Sequence, residues 1–376
     1  MKQPTLYLCY SINDFYAREA GISMLSFLEN NPGYEPEEVF FLDYGISRQN
    51  RERLNEIAAR YSRRITYLDG RPVTIEVKRQ FPHYPAWKGS MAACIKPFMD
   101  KVMPDYVQRL LYIDADTIVA ASVEKLQQMD MGDAVVAGTI SNTMGHALKN
   151  HYYELYSGNT QYMGSGVLLF DLKNWRRENI YDRMLDVLSK KKHLRLPDQM
   201  LMNNASPQRL MKVLPTKYNY TQSNYHPWQV YHWLRQYDIL PEQECREAIE
   251  HPVIIHYLTG WALSRPWHEG CYSNHKEEYY HYKALSPWKD DPLAPSLEEI
   301  YPPKSFDDRF YLWSLKQMMK PRPYFFALGA LKIYYTYHSI KARWKGQNLH
   351  SDEGIEACDE RPTPALPKGG EMKSKE

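Results

Sequence analysis

Leu110-Leu-Tyr-Ile-Asp-Ala-Asp-Thr-Ile-Val119 is the stretch on which the reading of this chain turns. Four apolar residues run into Asp114-Ala115-Asp116, and apolar residues resume after Thr117. A short apolar run of this kind reads as a buried strand of a parallel sheet. Two carboxylates at its end need compensation, because an unpaired buried carboxylate is strongly disfavoured. Side by side they repel, so one stays protonated unless a cation joins them. A hard divalent ion is the simplest such cation, since carboxylate oxygens suit Mg, Mn or Ca. In open α/β sheets, ligands bind at the carboxyl ends of the strands, where this pair falls. An Asp-rich turn that merely ends a strand is the bland alternative, but turn aspartates usually sit among Gly, Ser and Asn.

Outward from that strand, strands and helices alternate. Thr5–Tyr10 reads as the first strand, and Asn13 and Asp14 are N-cap types ahead of a helical pattern reaching Leu28. Val39–Asp43 is a second strand, Ser47 a cap for a helix over Arg48–Tyr61, and Ile65–Leu68 a third strand. Residues 89–103 read as a helix leading into the Asp114 strand. Ala134–Gly138 and Gly166–Phe170 are further buried strands, and Trp175–Lys191 is helical. Tyr218 to Trp233 reads as an aromatic loop, and Val253-Ile-Ile255 as a strand presenting His256. The alternation predicts an α/β fold: a doubly wound, mostly parallel sheet with flanking helices.

At 376 residues the chain suits one large α/β domain with additions, or two domains. A formal charge of +2 gives no bulk electrostatic case for nucleic acid. Tyrosine is the outlier, with 31 residues alongside 9 tryptophans, and such amphipathic aromatics often line wet binding surfaces or membrane interfaces. The five cysteines form no C-x-x-C, so neither a zinc cluster nor a disulfide framework is indicated, and a reducing compartment fits. The amino terminus runs directly into a strand without a signal-peptide pattern. No long uncharged apolar stretch suits a membrane span.

The carboxyl-terminal part differs. From Arg309 to Ser351 there are eight basic residues and no acidic one. After Pro323, the residues Phe326, Ala330, Ile333, Tyr337, Ile340 and Trp344 fall on one helical face. A basic, aromatic amphipathic helix suits an anionic membrane surface. Leu328, Leu331 and Tyr335 on the other face favour partial docking on the preceding domain. Expected divisions are therefore a catalytic domain over 1–300, a basic helical segment over 301–350 and a disordered tail over 351–376.

Two enzyme classes place D-x-D at the end of a buried strand. One is the haloacid-dehalogenase-like phosphotransferases, with Asp114 as nucleophile; the other is the nucleotide-sugar glycosyltransferases. The first usually carries its nucleophile near the start of the domain and needs a later apolar strand ending in another acidic pair. Here three strand–helix units precede the motif, and Asp290-Asp291 and Asp307-Asp308 lie in polar, Pro-flanked sequence. The wider pattern resembles glycosyltransferase family 8, which includes bacterial lipopolysaccharide galactosyl- and glucosyltransferases and glycogenin. Leu8-Cys-Tyr-Ser-Ile-Asn-Asp-Phe-Tyr-Ala17 looks like its nucleotide-binding first turn, and Lys96 stands where the family has Arg. Gly164-Ser-Gly-Val-Leu-Leu-Phe-Asp-Leu-Lys-Asn-Trp175 is similar to its N-x-G-V-x-L-x-N-L-x-x-W segment. Leu196-Pro-Asp-Gln199 matches its D-Q motif, and Ile254-Ile-His-Tyr, Gly260 and Arg265-Pro-Trp267 resemble its H-x-x-G-x-x-K-P-W. The departures are Asn13 for Asp, Phe15 for Asn, Lys96 for Arg, Gly164 for Asn, and Arg265 for Lys after a longer spacing.

The resemblance implies a GT-A-type, retaining, metal-dependent hexosyltransferase acting on a UDP-sugar and a glycan or glycolipid acceptor. Asp114, Asp116 and His256 would bind Mn2+ or Mg2+. Ser11, Asn13, Tyr16, Lys96, Ala115, Gly260 and Arg265 would contact the donor, with Tyr16 stacking on uracil and Arg265 on the diphosphate. Asp198 and Gln199 would act at the sugar, although Asp198 could merely cap a helix. A site on the cytoplasmic membrane face is expected. The alternative from another class is a catalytically silent nucleotide-sugar binder.

Overall fold

The structure, a computed structural model, describes residues 4–300 except 88, 142–154, 156, 192–193, 195, 222–239, 259–264, 272 and 274, and after 300 only scattered positions between 302 and 337. Seven strands form the main sheet: β1 (Leu6–Ile12), β2 (Glu38–Asp43), β3 (Arg64–Leu68), β4 (Arg109–Ile113), β6 (Val136–Ile140), β7 (Met163–Asp171) and β8 (Met211–Val213). Their order is β3-β2-β1-β4-β7-β6-β8. Only β7 runs against both its neighbours; the other pairings are parallel. A second sheet joins β5 (Thr117–Val119), β10 (Ile254–His256) and β9 (Tyr220–Thr221), in the order β5-β10-β9. The expected mixed, mostly parallel α/β fold is present.

Alternate residues of the central strands face opposite layers. Leu111 and Ile113 join one buried cluster with Leu8, Tyr10 and the helix α1 (Ala17–Asn30); Leu110 and Tyr112 join the other with Trp175, Met184 and Leu201. Every residue of β4 is buried, which explains its unbroken apolar sequence.

The strand expected to end at the carboxylate pair does so, and the apolar residues after Thr117 form a separate strand. β4 pairs with β1 and β7, whereas β5 pairs antiparallel with β10 in the other sheet. The chain turns between them at Asp114-Ala115-Asp116. Asp114 N donates to Gly166 O at 2.8 Å as the last bond of the β4 edge, and Thr117 Oγ1 donates to Asp114 O at 2.9 Å across the turn.

Three elements depart from expectation. The segment 89–103 is a 3-10 helix over Ala93–Phe98 and a single turn over Met99–Val102, because Pro97 lacks the N–H a regular helix needs there. The 175–191 helix is broken: Leu172–Arg177, capped by Asp171, ends before Asn179, whose φ of 52° starts Ile180–Lys190 anew. Asn is among the few residues that adopt this left-handed conformation readily. Asp14 does not cap its own helix. It opens a 3-10 turn over Asp14–Tyr16 and accepts Ser47 N and Asn50 Nδ2, each at 2.8 Å, at the start of α2 (Arg48–Arg60).

Beyond 300, Gly329, Ile333, Thr336 and Tyr337 are helical and Ile333 is exposed; the rest of the expected 326–344 stripe, and the tail over 351–376, lie outside the described residues. Among the described residues, no helix is long and apolar enough to cross a membrane.

The Lys276–Leu285 helix and the turn after it pack on α1, where Trp288 covers Gly21. A Cβ on Gly21 would lie 2.4 Å from the Trp288 ring. Gly21→Ala gains helix propensity but overpacks this contact, so thermal or urea denaturation should show a net loss of about 1–3 kcal/mol. An unchanged or raised midpoint would show that the Trp288 turn does not brace α1.

Candidate active site

The turn between β4 and β5 gathers three acids and three cationic or imidazole groups. Asp114 accepts Tyr112 Oη at 2.8 Å on Oδ1, and Lys96 Nζ lies 2.9 Å from the same oxygen. Burial pushes the Asp114 carboxyl up against the pull of Lys96, and the Asp116 charge adds to the rise. Burial also opposes charge on Asp116, but Arg265 and His256 outweigh it and hold this carboxyl well below the usual range. Arg265 Nη2 stands 2.8 Å from Asp116 Oδ2, and His256 Nε2 stands 3.1 Å from Asp116 Oδ1. Neighbouring acids thus differ because one faces a guanidinium and the other shares its lysine.

His256 is the last residue of β10, fully inside the protein. Its Nδ1 lies 2.9 Å from Asn219 Oδ1, while Asn219 Nδ2 donates to Thr139 Oγ1 at 3.2 Å. This assigns the proton to Nδ1 and turns the Nε2 lone pair toward the carboxylates. Nε2 is 3.1 Å from Asp116 Oδ1 and 4.0 Å from Asp114 Oδ2, close enough for the three groups to share one cation. One ligand atom from each of Asp114, Asp116 and His256 lies within 4.8 Å of the others. Gly166 makes room: a Cβ there would lie 2.3 Å from His256 Cε1 and 3.4 Å from Asp114 Oδ2. Two carboxylate oxygens and an imidazole fixed by an amide behind it fit a divalent ion.

On the other side of Asp114, Lys96 bridges to Asp198 Oδ2 at 2.9 Å. Burial disfavours the ammonium, but Asp114 and Asp198 more than offset this and hold its pKa above the ordinary lysine value. Asp198 lies in the first turn of the Pro197–Ala205 helix and makes no capping bond, so its partner is Lys96 and the capping role is absent. Gln199 Oε1 accepts Ser165 N at 3.2 Å, which fixes its amide beside β7. Asn203 fastens the same helix to β7 with bonds to Met163 N (2.7 Å) and Met163 O (2.8 Å).

The remaining expected residues are distributed unevenly. Arg265 donates to Tyr16 Oη at 3.2 Å and lies over Trp267, with its guanidinium carbon 5.1 Å from the ring centre. Its buried Nε has no hydrogen-bond partner among the described residues, and neither has Asn13 Oδ1. Tyr16 is thus beside the turn that carries Asp116, edge-on to the exposed Phe15. Ser11 already donates its hydroxyl proton to Ala92 O at 2.7 Å. Ala115 is buried between the two carboxylates. Gly260 lies outside the described residues. Asp291, one of the later acidic residues, pairs with Arg53 of α2 at 3.5 Å instead of approaching Asp114.

Sequence reading missed Asn219 and Tyr112, and quoted Gly166 only as part of a motif. Asn219 sits in an unremarkable 3-10 turn, Thr216–Asn219, with no local signal. Tyr112, two residues before Asp114 on the same strand face, was the discoverable one, because a buried tyrosine hydroxyl needs a partner.

A sequence profile for "Glycosyl transferase family 8" matches residues 7–271. General stress protein A of Bacillus subtilis is 23% identical over 292 residues, covering 76% of this chain and 96% of that protein. A lipopolysaccharide 1,2-glucosyltransferase of Escherichia coli is 24% identical over 309 residues, 79% of this chain and 84% of that one. Among solved structures, the galactosyltransferase LgtC with donor and acceptor sugar analogs superposes with a TM-score of 0.60 at 20% identity, covering 75% of this chain and 96% of that chain. That likeness carries the fold.

The His256 geometry yields a direct test. Asn219→Ala frees the imidazole to rotate, and Gly166→Ala pushes a methyl into it. Each should weaken Mn2+ binding by roughly 10–100-fold, the usual effect of losing a supporting group behind a ligand. Isothermal titration with Mn2+ reads this; wild-type affinity in both variants would remove His256 from the metal site.

Proposed function

Because the chain belongs to glycosyltransferase family 8 and is therefore a glycosyltransferase, we propose that it moves a hexose, glucose or galactose, from a UDP-sugar to a glycan or glycolipid acceptor with retention of configuration. The observation that carries this reading is the Asp114/Asp116/His256 cluster at the carboxyl end of β4, with Arg265 beside it. The ion held there is Mn2+ or Mg2+. When bound, it lowers the charge cost of the departing diphosphate.

The chain's own side chains supply the rest. Arg265 turns its guanidinium fork, including the unpartnered Nε, to the diphosphate. Tyr16 offers its ring to the base, and the buried Asn13 Oδ1 is an acceptor suited to a ring N–H such as that of uracil. Asp198 and Gln199 stand at the sugar, with the Gln199 amide oriented by Ser165. Lipopolysaccharide or another cell-surface polysaccharide is the acceptor class that fits the glucosyltransferase relatives.

The domain spans residues 1–300, and the basic segment 301–350 holds the enzyme on the cytoplasmic face of an anionic membrane. Eight basic residues without an acid between Arg309 and Ser351 support this. So does an aromatic stack: Phe306, Phe310 and Trp313 lie ring on ring at 6.0 and 5.8 Å, with Phe306 66% and Trp313 48% exposed. Such rings suit the headgroup boundary.

UDP release measured over a panel of UDP-sugars, with and without Mn2+, tests the reaction. Asp116→Ala should lower the rate at least ~100-fold, about 2.7 kcal/mol of barrier. Full activity in excess EDTA would end the metal assignment, and tighter binding of GDP than UDP would end the donor assignment.

A chain ending at Ser305 should lose binding to anionic vesicles while keeping activity on small acceptors. Each Lys or Arg near the surface contributes about 1 kcal/mol, weakened by salt. Absence of co-sedimentation by the full chain at both low and high salt would rule the membrane role out.

A further inference from the structure

Arg265, Pro266 and Trp267 are buried, and the chain just after them is clasped by a strap, residues 288–296. Ala294 N donates to Trp267 O at 2.8 Å, and Glu269 N donates to Ala294 O at 2.9 Å. His268 Nδ1 lies 2.9 Å from Pro295 O, so this nitrogen carries the proton. The result is a short parallel bridge, His268 beside Ala294, outside both sheets. Ala294 precedes a proline, which favours extended backbone and suits it to this pairing.

The other side of the strap is fastened to α1. The Trp288 ring covers Gly21, and Arg18 Nη1 donates to Pro292 O at 3.3 Å. Lys283 Nζ donates to Lys289 O at 3.0 Å and to Asp291 O at 2.6 Å, which closes the turn that carries Trp288. Arg18 also pairs with the buried Glu19 at 2.9 Å. Burial disfavours the Arg265 charge, but Asp116, Tyr16 and Glu19 outweigh it. Tyr16, which directly precedes α1, accepts Arg265 Nη1 at 3.2 Å. One end of α1 therefore meets both Arg265 and the strap, and helix, strap and Arg265 segment close into a ring.

We propose that this strap is a positioning brace for the Arg265 guanidinium and acts through the backbone of Ala294. This rests on the glycosyltransferase reading, in which Arg265 meets the donor diphosphate. A guanidinium fork binds phosphate oxygens in pairs only while its plane is held. Fixing so long a side chain costs rotamer freedom, and packing by the strap offsets that cost before the donor arrives. The bond to Trp267 O sets the ring over which the Arg265 guanidinium lies, 5.1 Å from ring centre to guanidinium carbon. Without it the fork loses its orientation, whereas the turn after β1 that takes the base keeps its own supports.

The test is calorimetry in Mn2+ with UDP and UMP on the full chain, as a cycle of Ala294→Pro, Arg265→Met and both together. Ala294→Pro removes the N–H while keeping extended backbone. It should weaken UDP by at least ~5-fold and UMP by less than ~2-fold, because the lost bonds are charge-assisted ones to the second phosphate. In the Arg265→Met background the same change should weaken UDP by less than ~2-fold, since a brace has no effect without the group it holds. Ala294→Gly, which keeps the N–H, should leave both affinities within about 2-fold of the native chain.

Equal weakening of UDP and UMP by Ala294→Pro would make the strap a general support of the fold and overturn the proposal. Equal loss of UDP affinity in both backgrounds, or none in the native one, would do the same. If circular dichroism shows that Ala294→Pro does not fold, Glu269→Pro, which removes the other bond of the bridge, is read under the same criteria. Should the native chain bind UDP no more tightly than UMP, the diphosphate role of Arg265 fails, and the donor reading with it. A native preference for UDP without a selective loss in Ala294→Pro fails only the brace.

Discussion

Charge compensation at one corner of the backbone governs this molecule. Asp114 and Asp116 sit where the chain leaves the main sheet and enters the small one, and Asp198 approaches from a helix on the far side of β7. Carboxylates so enclosed are tolerable only with cations or polarised hydrogens beside them. Lys96, Arg265, His256 and Tyr112 Oη provide these, each from a different part of the chain. The site is therefore the point at which four distant segments are electrostatically sewn together. The cationic partners of Asp116 hold its carboxyl well below the usual range, whereas burial pushes that of Asp114 up.

The scaffold around that corner is laced by polar groups in places that look apolar in sequence. Ser23 and Ser26 lie on the buried face of α1, where a hydrophobic residue would be expected. Ser23 Oγ meets Thr117 Oγ1 at 2.8 Å, and Ser26 Oγ accepts Val119 N at 2.9 Å. Asn30 Nδ2 reaches Val119 O at 2.9 Å and Asn31 Oδ1 accepts Val123 N at 2.8 Å. β5 is only three residues long and pairs with β10 on one side, so these side chains satisfy backbone groups that no strand covers. Fixing β5 fixes Asp116, which directly precedes it. Tightness is then enforced by glycine: Gly166 lets the imidazole approach β7, and Gly21 lets the Trp288 ring approach α1.

The neighbouring carboxylates also illustrate how environment divides similar groups. Asp114 and Asp116 are two residues apart and both partly buried, yet their affinities for a proton shift in opposite directions. A guanidinium and an imidazole converge on Asp116. Asp114 shares its lysine with Asp198 and faces the charge of Asp116. Proximity in sequence says little about this, because the cationic partners lie 18 to 149 residues away along the chain.

What the sequence alone determined was the strand–helix alternation, the position of the carboxylate pair at a strand end, and the motifs that mark the family. These follow from local hydrophobic periodicity and from residue types that carry chemistry in themselves: Asp114, Asp116, His256, Asp198, Gln199 and Arg265 were all legible. Tertiary structure decided the rest. Which sheet the apolar residues after Thr117 join depended on β10, some 140 residues on, because an apolar run reads the same in either sheet. Asn219 carried no local signal, since orienting an imidazole needs only an amide at the right place in space. Asp14 was a cap in type but served α2 instead of its own helix, because only the folded chain brings Ser47 and Asn50 to it. Lys96 was expected at the donor from its place in the motif; that its N–H groups face Asp114, Asp198 and Ser165 is set by packing, since those partners come from three other segments. Sequence specifies which groups are capable of chemistry; the packing that brings distant ones within 3 Å decides which of them remain available to a substrate.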